Sequence, residues 1–453
     1  MRFLPRLFLL LPLLAMPLLA QTPTGTVEGV VTDAGGAAIV GASVTIVETS
    51  TNETRTLTTD SAGRYEMPFV QPGTYSVKVV APGFRAASQI GLHVEVATGS
   101  TADFKLVVGQ ASDQVQVTAN VETLDTETSN LSDTIPTRLI LDLPDNGRNP
   151  FDFALLAPTV SNLGNASTPH IGGSRNGNNE QLIDGMTNIL PENNVGNNVS
   201  AYNPIVDSVQ EVNVQTSVLA AEYGRFSGGI VSLVTKGGAN AFHGSGFEFL
   251  EATGLNANAF GAAPGSAKTN SHRYQTGGTF SGPIHRDKTF FFVDFEDSRQ
   301  SAGTSITSTV PQNLAAYLTG DFSKLGAPIY DPLTVHLGTY YDTSSKTTVT
   351  GYVRDQFQGN MIPPGRLSPI AQKILGYFPA PQTTAASNNY VNSGANTNNY
   401  YHFDTRLDQQ WDTKWHSFLR FSHSAGNNAY LQDYAGSSTI ASPGGYNGPT
   451  SGN

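Results

Sequence analysis

The chain has 453 residues and a net charge of −11, with only 13% charged residues, about half the share of an ordinary soluble protein. The negative balance excludes a general nucleic-acid binder, which needs basic patches to displace counterions from phosphates. There is no cysteine, which excludes disulfide staples, thiolate metal sites and a cysteine nucleophile.

Residues 1–20 read as a secretory signal peptide. Arg2 and Arg6 give a positive start, Leu7 to Leu19 form an apolar run broken by Pro12 and Pro17, and Ala20 offers a small residue at the cut. The run is too short and too proline-rich to be a comfortable membrane helix. No later stretch has about 18 apolar residues in a row. Membrane entry therefore has to be by a closed barrel.

Residues 22–108 alternate strand and turn. Gly25 to Val31, Ala42 to Val47 and Pro72 to Val79 alternate in polarity, and Asp33-Ala34-Gly35-Gly36, Asp60-Ser61-Ala62-Gly63 and Ala81-Pro82-Gly83 supply turns. This spacing predicts a β-sandwich. Gly29-Val30-Val31-Thr32-Asp33, Thr59 to Tyr65 and Val80 to Phe84 resemble the carboxypeptidase regulatory-like domain, a transthyretin-like or carbohydrate-binding-like sandwich. The resemblance implies no peptidase activity. His93 is the segment's one histidine, which does not make a zinc site. A rigid spacer and a sugar-binding module both remain open, since fold alone assigns no ligand.

Residues 109–134 read as a linker. Within it Asp113, Gln114, Val115, Gln116, Val117, Thr118 and Ala119 alternate like a short strand, which a partner's sheet could take up by strand addition. The segment resembles the TonB box of outer-membrane receptors, and that resemblance implies docking to a TonB-type energy-transducing protein of the inner membrane. A last sandwich strand or a plain linker would look the same.

Residues 135–240 hold a series of motifs. Leu143 to Asn149 leads into Phe151 to Pro158, an apolar helical turn stopped by proline. Asp184-Gly185 is a hairpin signal. Val206 to Gln215, Ala221 to Arg225 and Gly228 to Gly238 follow. In this order they resemble the plug domain of TonB-dependent receptors of the Oar-like branch, implying a small αβ domain lodged in a barrel. Arg148, Arg175, Glu222 and Arg225 are candidate plug-barrel ion pairs, or else solvated charges worth little. Asn193, Asn194, Asn197 and Asn198 are candidate ligand-facing loop amides, or else plain turn formers.

Residues 241–453 read as the start of a barrel. Tyr401, Phe403, Leu407 and Trp411 fall on one face of a strand, with His402, Asp404, Arg406, Asp408 and Gln410 on the other. After a turn at Asp412, Trp415, Leu419 and Phe421 oppose His416, Arg420 and Ser422. A membrane barrel needs an apolar outside, a polar inside and aromatics near the turns; a soluble sandwich also alternates, with its apolar face inward. His243 to Phe249, Tyr274 to Phe280 and Lys288 to Glu296 read as further strands. Roughly a hundred residues between Arg299 and Tyr400 suit a large external loop, with a short helix after Pro369. The five or six candidate strands fall short of the about 22 that the resemblance to TonB-dependent receptors implies, so the expectation is an incomplete barrel, the front part of a longer chain.

The expected fold is therefore mainly β: signal peptide, transthyretin-like sandwich, small αβ plug, then the first strands of a transmembrane barrel. No enzyme is expected. Gly172 to Asn176 lacks the last glycine of a nucleophile elbow, and in Gly261 to Thr269 the lysine is misplaced for a phosphate loop. The nine histidines are scattered, so no metal or cofactor is expected. Three functions stay open: energised uptake of a bulky ligand (siderophore, oligosaccharide or peptide), a surface adhesion barrel in outer-membrane lipid, and a secreted carbohydrate-binding protein.

Overall fold

The computed structural model describes residues 24–109, 114–118, 131–145, 147–161, 169–175, 177–190, 200–217, 226–258, 261, 268–413 and 415–431. The expected signal peptide, Asp113, Ala119, Glu222, Arg225 and the four loop asparagines lie outside them.

The N-terminal domain is a sandwich of β1 (Gly25–Asp33), β2 (Ser43–Glu48), β3 (Thr54–Thr58), β4 (Arg64–Val70), β5 (Gly73–Val80), β6 (Ala86–Val94), β7 (Gly99–Thr101), β8 (Phe104–Leu106) and β9 (Gln114–Thr118). One sheet has the order β4-β1-β7, with β8 also on β1; the other runs β3-β2-β5-β6-β9. Alternation places Val27, Val31, Val44, Ile46, Val77 and Val79 in the shared core. The aspartates set the turns. The Asp60 carboxylate accepts from the amides of Ala62 and Arg64, each at 2.8 Å, and Gly63 takes a φ of +74° that suits glycine.

Gly29 is a tight spot. A Cβ there would lie 2.1 Å from the carbonyl oxygen of Ala102 and 3.0 Å from the Tyr65 ring. The Tyr65 hydroxyl already donates to that carbonyl at 2.6 Å. Gly29→Ala should therefore cost the sandwich about 1–3 kcal/mol through overpacking, seen as a lower urea midpoint in limited proteolysis.

The central domain contains β10 (Leu131–Pro136), β11 (Val160–Ser161), β12 (His170–Ile171), β13 (Glu180–Ile183), β14 (Met186–Thr187), β15 (Val209–Ser217) and β16 (Ile230–Thr235). Its sheet order is β10-β15-β16-β13-β14, with β13 parallel to β16. The helix Thr137–Asp142 and the 3-10 turn Pro150–Leu156 cover one face. Asn149 starts that turn by accepting from the Phe151 amide at 3.3 Å, with Pro150 as its first residue. Ile140, Phe151, Phe153, Val212, Val214 and Leu233 build the core. The domain starts earlier than expected, because Ser132 to Pro136 pair with β15.

Five longer strands follow: β17 (His243–Ala252), β18 (Ser271–His285), β19 (Thr289–Ser308) and, after a hairpin of β20 (His336–Asp342) and β21 (Thr347–Val353), β22 (Tyr390–Gln410) and β23 (His416–Ala429). They pair in the order β17-β18-β19-β22-β23. The hairpin lies in the long segment between β19 and β22, with the helices Leu314–Leu318 and Pro369–Leu375. Ser368 caps the latter by accepting from the Ala371 amide at 3.3 Å.

The polarity of this sheet is inverted. Asp294, Glu296, Asp404, Arg406 and Asp408 are buried, whereas Phe280, Phe295, Tyr401, Leu407, Trp415, Leu419 and Phe421 are exposed. A water-soluble sheet would bury the second set and expose the first. Phe290 and Phe292 share the buried face of β19 with Asp294, so that face is not uniformly polar. No described helix is long and apolar enough to cross a membrane.

Candidate functional site

The inverted sheet needs something polar against its buried charges, and the central domain supplies it. Asp184 and Gly185 form the two-residue turn between β13 and β14, with Ile183 opposite Met186. Their φ angles are +49° and +80°, the left-handed pair that closes such a hairpin. The turn holds the Asp184 carboxylate in a fixed place. Oδ1 accepts from the Thr235 amide at 2.9 Å, and Oδ2 accepts from the Thr235 hydroxyl at 2.7 Å.

Two arginines of the sheet meet that carboxylate. Arg420 on β23 donates to Oδ2 at 2.8 Å, and Arg406 on β22 lies 3.8 Å from Oδ1. The Asp184 side chain is 1% exposed and each arginine 10%. Arg406 also donates to the Thr235 carbonyl at 3.0 Å, pairs with Asp408 at 2.9 Å and lies 4.5 Å over the Phe418 ring. His416 stands 3.7 Å from Asp408. Nearby, the Tyr202 hydroxyl donates to Asp404, and the Asn188 side-chain oxygen fixes Tyr202 by accepting from its amide at 3.0 Å. Asp184, Arg406, Asp408 and Arg420 are thus paired and hydrogen-bonded, as burial demands.

Gly237 and Gly238 permit the close approach. A Cβ on Gly238 would lie 2.6 Å from the Phe291 carbonyl oxygen, and one on Gly237 would lie 3.1 Å from Asp408.

The expected plug-barrel contacts are partly corrected. Arg148 pairs with Asp207 inside its own domain and reaches the sheet through the Phe247 ring, 5.2 Å from its guanidinium carbon. Arg175 is exposed and has no ion pair among the described residues. It lies on a turn open to water, where a lone cation is satisfied by solvent. The ion pairs that join the two elements among the described residues are those of Asp184 with Arg406 and Arg420. Their signal was in the sequence: Arg406 and Arg420 sit on polar strand faces, and Asp184 sits in the hairpin turn.

The expected docking strand is also placed differently. Gln114–Thr118 is not a free linker but β9, parallel to β6, with Gln114 opposite Ala86 and Thr118 opposite Ile90. An open sheet edge beside a tethered strand offers unpaired backbone groups, and pairing satisfies both.

The sandwich also meets the central domain. The Val96 amide donates to Glu211 at 2.9 Å, and the Gln210 side-chain amide donates to the Pro72 carbonyl at 3.0 Å. Burial pushes the Glu211 carboxyl up from 4.5 to about 7, and neighbouring Glu95 adds to the rise, against the lowering by the Val96 hydrogen bond. A carboxyl raised in the folded protein binds its proton more tightly there than in the unfolded chain. Its contribution to the stability of the folded region around this contact is therefore full below pH 4.5, falls as pH rises and levels off above about 7. Val96 amide exchange at pH 5 and pH 8, corrected for intrinsic rates, should show this in the wild type and lose it in Glu211→Gln.

Comparison with known proteins matches two segments of the chain. A model of the carboxypeptidase regulatory-like domain matches residues 26–107, and a model of an outer membrane beta barrel domain matches residues 234–452. Over 294 residues the chain is 26% identical to the TonB-dependent transporter Oar of Myxococcus xanthus. Over these segments the chain is similar to an outer membrane beta barrel domain and to a TonB-dependent transporter. The shared segment covers 62% of this chain and 27% of that relative, so the chain spans far less than the relative's length. Solved structures with a partial likeness include hydroxyquinol 1,2-dioxygenase from Pseudomonas putida, at 11% identity over 20% of this chain and 58% of that one, TM-score 0.16. The minor pilin of Streptococcus agalactiae is similar at 14% identity over 20% and 47%, TM-score 0.16. Likeness at that level carries no functional argument.

The homology and the barrel match put the chain in the outer membrane. The inverted sheet then has a physical reason, since lipid replaces water on the exposed face.

Proposed function

We propose that this chain forms the gate of an energised outer-membrane transporter for a bulky ligand. The central domain acts as the plug. The sandwich stands in the periplasm, and Gln114–Thr118 is the strand that a TonB-type protein takes up. One observation carries the reading: a carboxylate of the central domain, Asp184, is buried between two arginines of the barrel sheet. Such a pair holds firmly yet parts cleanly, because each charge is rehydrated once water enters. An apolar interface of similar size would gain nothing from wetting. The chemistry is binding and passage, without a catalytic residue. Siderophore, oligosaccharide and peptide ligands all fit this frame.

Deleting residues 113–119 from the full-length protein should abolish uptake while surface binding of the ligand persists. Uptake at the wild-type rate would refute the transport reading and favour an adhesion barrel.

A further inference from the structure

We propose that the sandwich is a clamp on the central domain: it grips that domain and the β18–β19 turn at the same time, so the domain leaves the barrel sheet only after the sandwich has undocked. The proposal rests on the reading of the central domain as a displaceable plug and adds what holds it from the sandwich side.

Three sandwich loops make the grip. The first is Thr49 to Asn52. The Asn52 side-chain amide donates to Asp287 in the β18–β19 turn at 2.9 Å, and the Ser50 carbonyl accepts from the Asn240 amide at 2.9 Å. Asn240 closes the arrangement. Its side chain donates to the same Asp287 oxygen at 2.8 Å and accepts from the Asp287 amide at 2.9 Å. Asp287 thus receives one amide from the sandwich and one from the segment that leaves the central domain. The second and third loops bring Pro72 to Gln210 and Val96 to Glu211.

The grip is built in advance. The Glu48 carboxylate accepts from the Ser50 amide and hydroxyl, both at 2.9 Å, and from the Thr51 hydroxyl at 2.7 Å. Asn52 and Asp287 each take a φ of +62°, a conformation that Asn and Asp tolerate better than most residues. The loop is therefore already ordered before docking, and docking does not bear that entropy cost.

The clamp and the docking strand belong to one body. β9 pairs along β6. β6 ends at Val94, and the chain passes through Glu95 straight into the gripping Val96. A partner that adds a strand to β9 and pulls loads the sandwich before it loads the plug. Release then runs in order: sandwich first, central domain second.

The chain has no cysteine, so a cysteine pair reports cleanly. The test places Asn52→Cys and Asp287→Cys in the full-length protein in outer-membrane vesicles and follows amide exchange of β15, β16, β18 and β19 across a urea series. We expect the disulfide to form under mild oxidant. We expect exchange in β15 and β16, the plug strands, to be slower by about tenfold or more in the oxidised than in the reduced form, since several hydrogen bonds must break together. Asn52→Ala alone, which leaves the β18–β19 turn intact, should speed it.

Failure of the two cysteines to be joined by either oxidant or a short bifunctional thiol reagent, which spans the gap that the Asn52 and Asp287 side chains fill, would overturn the docking. A disulfide that leaves β15 and β16 exchange unchanged, while they still exchange ahead of β18 and β19, would overturn the clamp and leave the plug reading standing. If β15 and β16 exchange only together with β18 and β19 in every form, the plug reading falls, and the clamp falls with it.

Discussion

Asp184→Asn should loosen the central domain from the barrel sheet by about 3–5 kcal/mol, the cost of leaving buried charge without its partner. Asparagine tolerates the left-handed backbone nearly as well as aspartate, so the turn itself survives. What is lost is the anion between Arg406 and Arg420. The measurement is the urea concentration at which β15 and β16 amides begin to exchange in the membrane-embedded protein. A control should stay silent: Arg138 pairs with Asp142 at 3.5 Å, but the two side chains are 90% and 67% exposed. Arg138→Gln should therefore change the stability by a few tenths of a kcal/mol at most. Equal effects from both variants would show that burial of the Asp184 pair does not matter.

Leu419→Arg should destabilise the barrel by about 2–4 kcal/mol if its position lies near the bilayer midplane. Leu419 is 70% exposed and sits between Trp415 and Phe421 on the outer face of β23. In a water-soluble sheet the same change would swap one exposed side chain for another, worth about 0.5 kcal/mol or less. The contrast makes the variant a direct probe of what touches this face. Unfolding in lipid vesicles, followed by urea titration, gives the value. A loss below about 0.5 kcal/mol would mean that Leu419 does not face lipid.

Much of the architecture was legible because it follows from short-range rules. The two faces of β22 and β23 were assigned residue by residue from alternation, and Asp404, Arg406 and Asp408 are indeed buried opposite exposed Tyr401, Leu407 and Trp411. The Asp184-Gly185 turn was legible because so few residues accept its backbone. The short helix after Pro369 was legible from its proline start. Partner choice was not. Arg148 and Arg175 looked like Arg406 and Arg420 in isolation, and only the tertiary arrangement decides which cation meets a carboxylate. The fate of Gln114–Thr118 was equally hidden. Its alternation says strand, but which edge it joins depends on the sandwich's open side, which no local pattern encodes. The grip of Ser50 and Asn52 was invisible for the same reason. Turn residues read as turn residues until a second element arrives to meet them.

Asp184 answers two unrelated demands at once. Its backbone angle admits glycine, asparagine and aspartate with least strain, and its place between two guanidinium groups requires an anion. Glutamate satisfies the second demand and not the first; asparagine and glycine satisfy the first and not the second. Of the twenty amino acids, aspartate alone meets both. In a saturation library this codon should be the least forgiving of the turn. Among divergent sequences, its joint loss with Arg406 or Arg420 would be the mark of a sheet that no longer holds the central domain this way.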